Sequence, residues 1–401
     1  MFKNKLVSDN LWINYMNSKL DKGFINKVEK ESIKDFVINK KYKNIANNIV
    51  NNNYHFSYPI KHLINKNYGN KKRIVYTYND DEVQILKYSA YLLYDYDYLF
   101  SKNLYSFRKS IGVKNAINSL IYTKNINNMY GYKVDIKNYF NSINKDILLN
   151  NLVNDIEPDL YNLIYELLNS KCIYNDEIIN EDMGVIAGSP ISAFLANYYL
   201  KDLDNYFWNE KVFYIRYADD IIIFTNTYEE LIKYKSELNN RLNNYKLTIN
   251  KDKEYFYNPG DTFEFLGFSF NNKKIDLSKN TIYKIKGKIR RTARGLHRWM
   301  IKNNADTIGT IKAMNRKYNK KFYGNDNTEL SWKYYFFPII NTTDSLKIID
   351  KYYQDQIRYM VTGKHNKKNY KVVPYKLLKS CNYKSLVREY FKLKLDMINK
   401  N

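Results

Sequence analysis

Three carboxylates stand apart in this 401-residue chain. Asp219 and Asp220 follow one another in Tyr217-Ala218-Asp219-Asp220, a tight turn between two apolar runs. Adjacent carboxylates raised on a hairpin repel each other, and the arrangement is unfavourable unless a cation neutralises it. Asp135 ends another apolar strand, in Val134-Asp135-Ile136-Lys137-Asn138-Tyr139-Phe140. If the two strand elements are neighbours in one sheet, Asp135 and Asp219 converge on a pair of Mg²⁺ ions, with Mn²⁺ able to substitute. Oxygen-only ligands suit such ions. Two of them about 4 Å apart activate an attacking hydroxyl and stabilise the leaving oxygen of an in-line displacement. Each aspartate also has a plainer reading, as a turn former or a strand end. Their order along the chain and the elements around them favour the chemical one.

Those elements are legible as hydrophobic periodicity. Residues 1–60 read as mainly helical. Residues 71–78 alternate like a strand and open with three basic groups, and 82–100 form a long apolar-aromatic helix. Residues 131–136 read as a short strand, followed by a helical region to about 170. Residues 191–208 read as one helix entered from a Gly-Ser-Pro turn, 212–225 as two strands, 228–245 as an amphipathic helix and 262–270 as a hairpin. In 344–360, Leu346, Ile349, Tyr353, Ile357 and Met360 share an apolar face, and Lys347, Lys351 and Arg358 are expected on the opposite one, open to backbone phosphates.

Composition narrows the partners. The chain carries 65 Lys+Arg against 41 Asp+Glu, a formal net charge of +24. That surplus argues for a polyanion, either nucleic acid or an anionic membrane surface. No apolar run approaches the roughly 20 residues of a membrane span, so nucleic acid is preferred. The start of the chain lacks a signal-like apolar stretch, and Cys172 and Cys381 are too few for a disulfide framework. The expected location is cytoplasmic. From Leu277 to Ala305 there is no acidic residue, while Lys284, Lys288, Arg290, Arg291, Arg294 and Arg298 crowd one segment. Solvated helix faces normally mix signs, so this run reads as a helix that follows phosphates.

Read in order from about residue 70 to 270, the chain resembles reverse transcriptases, most closely the prokaryotic group of group II intron, retron and defence-associated enzymes. Lys71-Lys72-Arg73-Ile74 resembles the basic fingers strand, and Tyr105-Ser106-Phe107-Arg108-Lys109-Ser110-Ile111-Gly112 the fingers motif after it. Val134–Phe140 resembles the first palm motif and Gly188-Ser189-Pro190-Ile191-Ser192-Ala193-Phe194-Leu195-Ala196-Asn197 the second. Tyr217-Ala218-Asp219-Asp220 matches the metal-binding hairpin. Leu247–Lys253 resembles the next motif, ending in a lysine, and Phe265-Leu266-Gly267-Phe268 the primer-grip hairpin.

The resemblance implies an α+β right-hand polymerase fold. An N-terminal helical region and fingers occupy 1–130, the palm 131–270 (with part of the fingers at about 145–185), and the thumb with an RNA-contacting extension 271–401. It implies metal binding by Asp135, Asp219 and Asp220, with the Ile136 carbonyl assisting. Arg73 would neutralise the incoming triphosphate; Lys72 either helps or is a solvated strand charge. Phe140 falls at the steric-gate position that favours dNTPs over rNTPs. Lys253 would protonate or steady the leaving pyrophosphate, or else is a surface lysine at an element end. Ala187, before Gly188, stands where many members carry a nucleotide-contacting Gln, which leaves open how the base pair and sugar are held. Phe265, Leu266 and Gly267 would grip the primer. The implied partners are dNTPs, an RNA template and a cDNA product. The absence of an accessory endonuclease or zinc-finger motif suggests a bacterial anti-phage defence enzyme copying a dedicated non-coding RNA. The rivals are a retron or diversity-generating enzyme, and a catalytically silent RNA-binding scaffold. Val361-Thr362-Gly363 matches a retron signature but lies later than expected for one.

Overall fold

A computed structural model describes residues 1–21, 25–65, 72–324 and 331–399. Contacts divide it into two units, Met1–Pro259 and Gly260–Asn401. The first unit opens with the helices Phe2–Val7, Asp9–Asp21, Lys27–Ile38 and Tyr42–Val50. They close on aromatic rings: buried Trp12 stacks on Tyr42 at 4.6 Å and on Tyr88 at 3.9 Å. Tyr88 belongs to the helix Asp80–Leu92, which ends in a tighter 3₁₀ segment, Leu93–Leu99.

A small sheet follows from β1 (Ile60–Asn65) and β2 (Lys72–Thr77), antiparallel from Ile60↔Thr77 to Asn65↔Lys72. The expected strand at 71–78 is β2, and Lys71 itself lies outside the described residues. β1 has no clear pattern in the sequence because nearly all of it is exposed, leaving no buried face to alternate against.

The second sheet positions the carboxylates. It is built from β3 (Tyr130–Asp135), β6 (Phe213–Tyr217), β7 (Asp220–Thr225) and β8 (Tyr255–Tyr257), in the order β6-β7-β3-β8 and antiparallel throughout. In between, β4 (Cys172–Tyr174) and β5 (Glu177–Ile179) extend the small sheet to β2-β1-β4-β5. In β7 every residue after Asp220 is buried, the pattern of a strand covered on both faces. One cover is the helix Tyr228–Asn244. Its start is fixed by a capping box, in which Glu230 N–H donates to Thr227 Oγ1 and Thr227 N–H to Glu230 Oε2. The segment 191–208 is two helices, Ser192–Tyr199 and Lys201–Asn209, broken at Leu200 (ψ 19°).

The second unit begins with an antiparallel meander of β9 (Phe263–Phe265), β10 (Phe268–Asn271) and β11 (Lys274–Leu277). Ser278 then caps the 24-residue helix Lys279–Lys302, accepting from Thr281 N–H. Its buried stripe Ile285, Ile289 and Ala293 packs on the helix Asp344–Thr362. That helix buries Leu346, Ile349, Tyr353, Ile357 and Met360, as its periodicity requires. Arg358 departs from the expectation. It is buried, stacked on the Tyr370 ring at 3.9 Å, and donates from Nε to the Val373 carbonyl. Its charge is met by Asp355 Oδ1 at 3.4 Å, an aromatic face and a carbonyl rather than by water. Gly363, at φ 71°, ends the helix in the left-handed region, which gives the Thr-Gly pair a capping role. Among the described residues no helix is long and apolar enough to cross a membrane.

Candidate active site

The carboxylates meet because β3 and β7 are neighbours. Asp135 and Asp220 form a cross-strand pair at the end of the ladder, and Tyr217↔Asp220 closes the β6–β7 hairpin around Ala218 and Asp219. Ala218 takes φ 56°. A left-handed residue with a Cβ costs roughly 1–2 kcal/mol, and surrounding contacts must hold it. The Ala218 N–H donates to Ser106 Oγ at 2.9 Å, and Ser106 Oγ donates to Asn197 Oδ1 at 3.0 Å. From the other side, Ile136 N–H donates to the Asp219 carbonyl (2.9 Å), and Asn250 N–H to that of Asp135 (2.8 Å). Two backbone N–H groups and the Ser106 hydroxyl thus hold the hairpin turn and the end of β3.

Burial and crowding act on the acids together. Burial first, then the charges of Asp135 and Asp220, push the Asp219 carboxyl up to about 6. Lys253 reaches in from the 3₁₀ turn Lys251–Lys253, its Nζ 2.5 Å from Asp135 Oδ2. Burial pulls the Lys253 ammonium down, but the hydrogen bond and charge of Asp135, followed by Asp220 and Asp219, outweigh it and leave it raised. Among the described residues no group of three or more His, Cys, Asp or Glu side chains is already arranged around one ion position. The donor chemistry nevertheless fits a hard divalent cation: the donors are oxygens, they crowd, and a lysine partly offsets their charge. Asp135, Asp219 and Asp220 are the residues that would hold it. Ile136 is buried, with its N–H committed to the hairpin.

The sequence gives no hint of what underlies this hairpin. Arg216, in β6, is fully buried. Its guanidinium clamps Asp204 bidentately, from Nε to Oδ1 (2.8 Å) and from Nη2 to Oδ2 (2.5 Å). It also donates to the carbonyls of Asn197 (3.1 Å) and Ala218 (3.3 Å). Burial opposes its charge, but Asp204 outweighs burial and raises its proton affinity. Tyr214 donates to Asp204 Oδ1 and Asn103 Nδ2 to the Asp204 carbonyl. A charged residue between apolar neighbours reads as solvated. Only the distant carboxylate of Asp204 makes it a core residue.

The loop Gly184–Ser189 runs beside β2. Tyr76 N–H donates to the Ala187 carbonyl at 2.8 Å, which places Ala187 and Gly188 against the strand that carries exposed Lys72 and Arg73. Gly188 has φ 114°, and a Cβ there would lie 2.7 Å from the Tyr76 carbonyl oxygen. Gly188→Ala is expected to displace the loop, at a cost of roughly 1–3 kcal/mol. Thermal unfolding checks this, and an unchanged melting temperature would show the contact to be slack. Phe140 is half-buried, its ring edge-on to Phe107 at 6.0 Å. Phe107 is exposed and left-handed (φ 54°), an unusual state for a bulky residue.

In the second unit, Phe265 is buried, while Leu266 (φ 49°) and Gly267 (φ 89°) form the turn between β9 and β10. Two positive φ values suit a tight hairpin. Lys284, Lys288, Arg290, Arg294 and Arg298 are exposed on the helix Lys279–Lys302, and Arg291 is half-buried.

The family model described as reverse transcriptase (RNA-dependent DNA polymerase) matches residues 64–270, just over half the chain. No curated protein matches. Among solved structures, apo telomerase from Candida tropicalis truncated from its C-terminal domain aligns at 15% identity and TM-score 0.44, covering 56% of this chain and 55% of that one. Telomerase from Candida albicans in complex with a TWJ fragment of telomeric RNA aligns at 12% and 0.45, covering 85% and 66%. Apo telomerase from Candida tropicalis aligns at 12% and 0.45, covering 84% and 68%. This chain therefore spans between about half and two thirds of the length of these structures.

Proposed function

Because this chain belongs to the reverse transcriptase (RNA-dependent DNA polymerase) family, we propose that it adds dNMPs to a primer 3′-OH on an RNA template at Asp135, Asp219 and Asp220. The observation that carries this reading is the cross-strand placement of Asp135 beside the Asp219-Asp220 hairpin. Mg²⁺, or Mn²⁺ in its place, would supply Lewis-acid stabilisation of the attacking and leaving oxygens. The protein's own contribution is positioning and charge. The β3 and β7 ends hold the acids in register. Lys253, already raised and hydrogen-bonded to Asp135, is the proton source beside them. Arg73 on β2 takes the triphosphate, with Lys72 next to it, and the Ala187-Gly188 loop lies along the same strand. Leu266 and Gly267 grip the primer, and the basic helix Lys279–Lys302 follows the duplex. In the terms of the family, 1–130 holds the fingers, 131–270 the palm and 271–401 the thumb and RNA-contacting extension.

Phe140 is the selector against ribose. Phe140→Val is expected to raise rNTP incorporation relative to dNTP by roughly 10–100-fold, the range that a lost steric contact gives. Single-nucleotide kcat/KM values for each substrate measure it, and an unchanged ratio would remove Phe140 from that role.

Within the family the reading is a bacterial defence enzyme that copies a dedicated non-coding RNA. Its sequence support is a loose likeness of the segments 359–370 and 383–391 to that group. Sequencing the RNA and cDNA that co-purify with the protein tests this. Recovery of one structured RNA and its complement is expected, whereas a retroelement cassette would point to the retron or diversity-generating class.

A further inference from the structure

No role assigned above accounts for the conformation of Phe107. Its φ of 54° is an outlier for a bulky residue, and the residue is 43% exposed, so burial does little to offset the strain. The residues on both sides enforce it. Tyr105 N–H donates to the Arg216 carbonyl (3.0 Å), and Asn197 Nδ2 donates to the Ser106 carbonyl (2.7 Å). Arg108 clamps Asp97 from Nε (2.9 Å) and Nη2 (2.7 Å), and donates from Nη1 to the Ser101 carbonyl (2.7 Å). Backbone strain that its surroundings over-determine in this way gathers at functional sites.

The ring so presented meets two residues of the active site. It stands edge-on to Phe140, with centroids 6.0 Å apart and planes at 89°, a geometry that aromatic pairs prefer. Its centroid also lies 6.5 Å from that of Tyr217, which opens the Asp219-Asp220 hairpin. Tyr139, the neighbour of Phe140 in sequence, is edge-on to it as well, so Phe107 is the ring brought to Phe140 from a distant segment. The backbone of Phe140 is tied down, its carbonyl accepting from Val185 N–H at 2.9 Å. What can yield to a bulkier sugar is therefore the Phe140 ring, and swinging away forfeits the contact with Phe107.

We propose that Phe107 is a positioning residue for sugar selection, bracing the Phe140 ring against displacement by a ribose 2′-OH. The proposal rests on the reading of Phe140 as the selector against ribose. Bracing makes the effect specific to one substrate. A dNTP leaves the ring where it stands and gains little from the brace, whereas an rNTP must break the edge-on contact to enter. A ring that only packed beside Tyr217 would act on both substrates alike.

The test measures single-nucleotide kcat/KM for a dNTP and its rNTP on a primed RNA template, using the full chain. The proteins are wild type, Phe107→Asn, Phe107→Tyr, Phe140→Val and the double variant Phe107→Asn with Phe140→Val. Asn removes the ring and tolerates the left-handed backbone, while Tyr keeps the ring. Both substrates meet the same sample, so a partly folded variant leaves their ratio unaltered. Phe107→Asn is expected to lower the preference for dNTP by roughly 2–12-fold, the span that an edge-on aromatic pair is worth, and Phe107→Tyr to retain it. The double variant is expected to match Phe140→Val alone, because the brace acts only through the Phe140 ring. Equal losses for both substrates in Phe107→Asn would overturn the proposal, as would a double variant less selective than Phe140→Val. If Phe140→Val lowers the preference and Phe107→Asn does not, the brace falls and the selector stands. If Phe140→Val leaves the preference unchanged, the selector falls and the brace with it.

Discussion

Asp219→Asn should lower primer extension on an RNA template by roughly 10³-fold, the several kcal/mol that a metal-held transition state contributes. The substitution keeps the shape of the side chain and removes the charge. Asp219 lies on the hairpin beside Asp135 and Asp220, and burial together with their charges pushes its carboxyl up to about 6. Two readouts besides turnover follow from that crowding. In the absence of divalent metal the variant should melt higher than wild type, by roughly 2–4 °C for each kcal/mol of repulsion removed. Added Mg²⁺ or Mn²⁺ should then raise the melting temperature of wild type and leave that of the variant nearly unchanged. Equal extension by the two proteins would sink the assignment of the acids, as would an equal response to metal.

Arg216→Met is expected to destabilise the protein by about 3–5 kcal/mol, because it strands the Asp204 carboxylate in the core without its counter-charge. Tyr214 still donates to the Asp204 carboxylate, but it carries no charge. Pairing the change with Asp204→Leu removes both charges, and most of the stability should return, since a buried ion pair and an apolar pair of similar volume often balance. Activity should not return with it. Arg216 also donates to the carbonyls of Ala218 and Asn197, which hold the left-handed turn that presents Asp219. The double variant is expected to fold and to show a reduced kcat at little-changed KM. Denaturant unfolding and steady-state kinetics on the same samples separate the two effects. A single variant that loses less than about 1 kcal/mol would mean that the pair is not structural.

These two residues also mark the limit of what local pattern reveals. Asp135, Asp219 and the hairpin around them are legible because β3, β6 and β7 are short apolar runs with polar ends. The helices 228–244 and 344–362 follow from apolar spacing in the same way, and 279–302 from its acid-free run of basic residues. β1 escapes because an exposed strand has no buried face to mark it. The break at Leu200 is hidden because both helices around it are apolar enough to read as one. The burial of Arg216 and of Arg358 escapes local pattern for a related reason. Arg216 is held by Asp204, and Arg358, which pairs with Asp355 on its own helix, is covered by Tyr370 and held by the Val373 carbonyl from beyond it. Periodicity records which way a side chain points, not what waits for it there.

The placement of β3 between β7 and β8 has a consequence for synthesis. Its ladder partners begin at Asp220 and Tyr255, so the strand that ends at Asp135 leaves the ribosome some 85 residues before β7 exists. At 5–20 residues per second that wait is roughly 4–17 s. During it Tyr132 and Val134, both fully buried in the finished sheet, have no ladder partner and offer an open edge to other nascent chains. Synonymous codons that slow translation between residues 136 and 220 would therefore lower the soluble yield without changing a single residue of the enzyme.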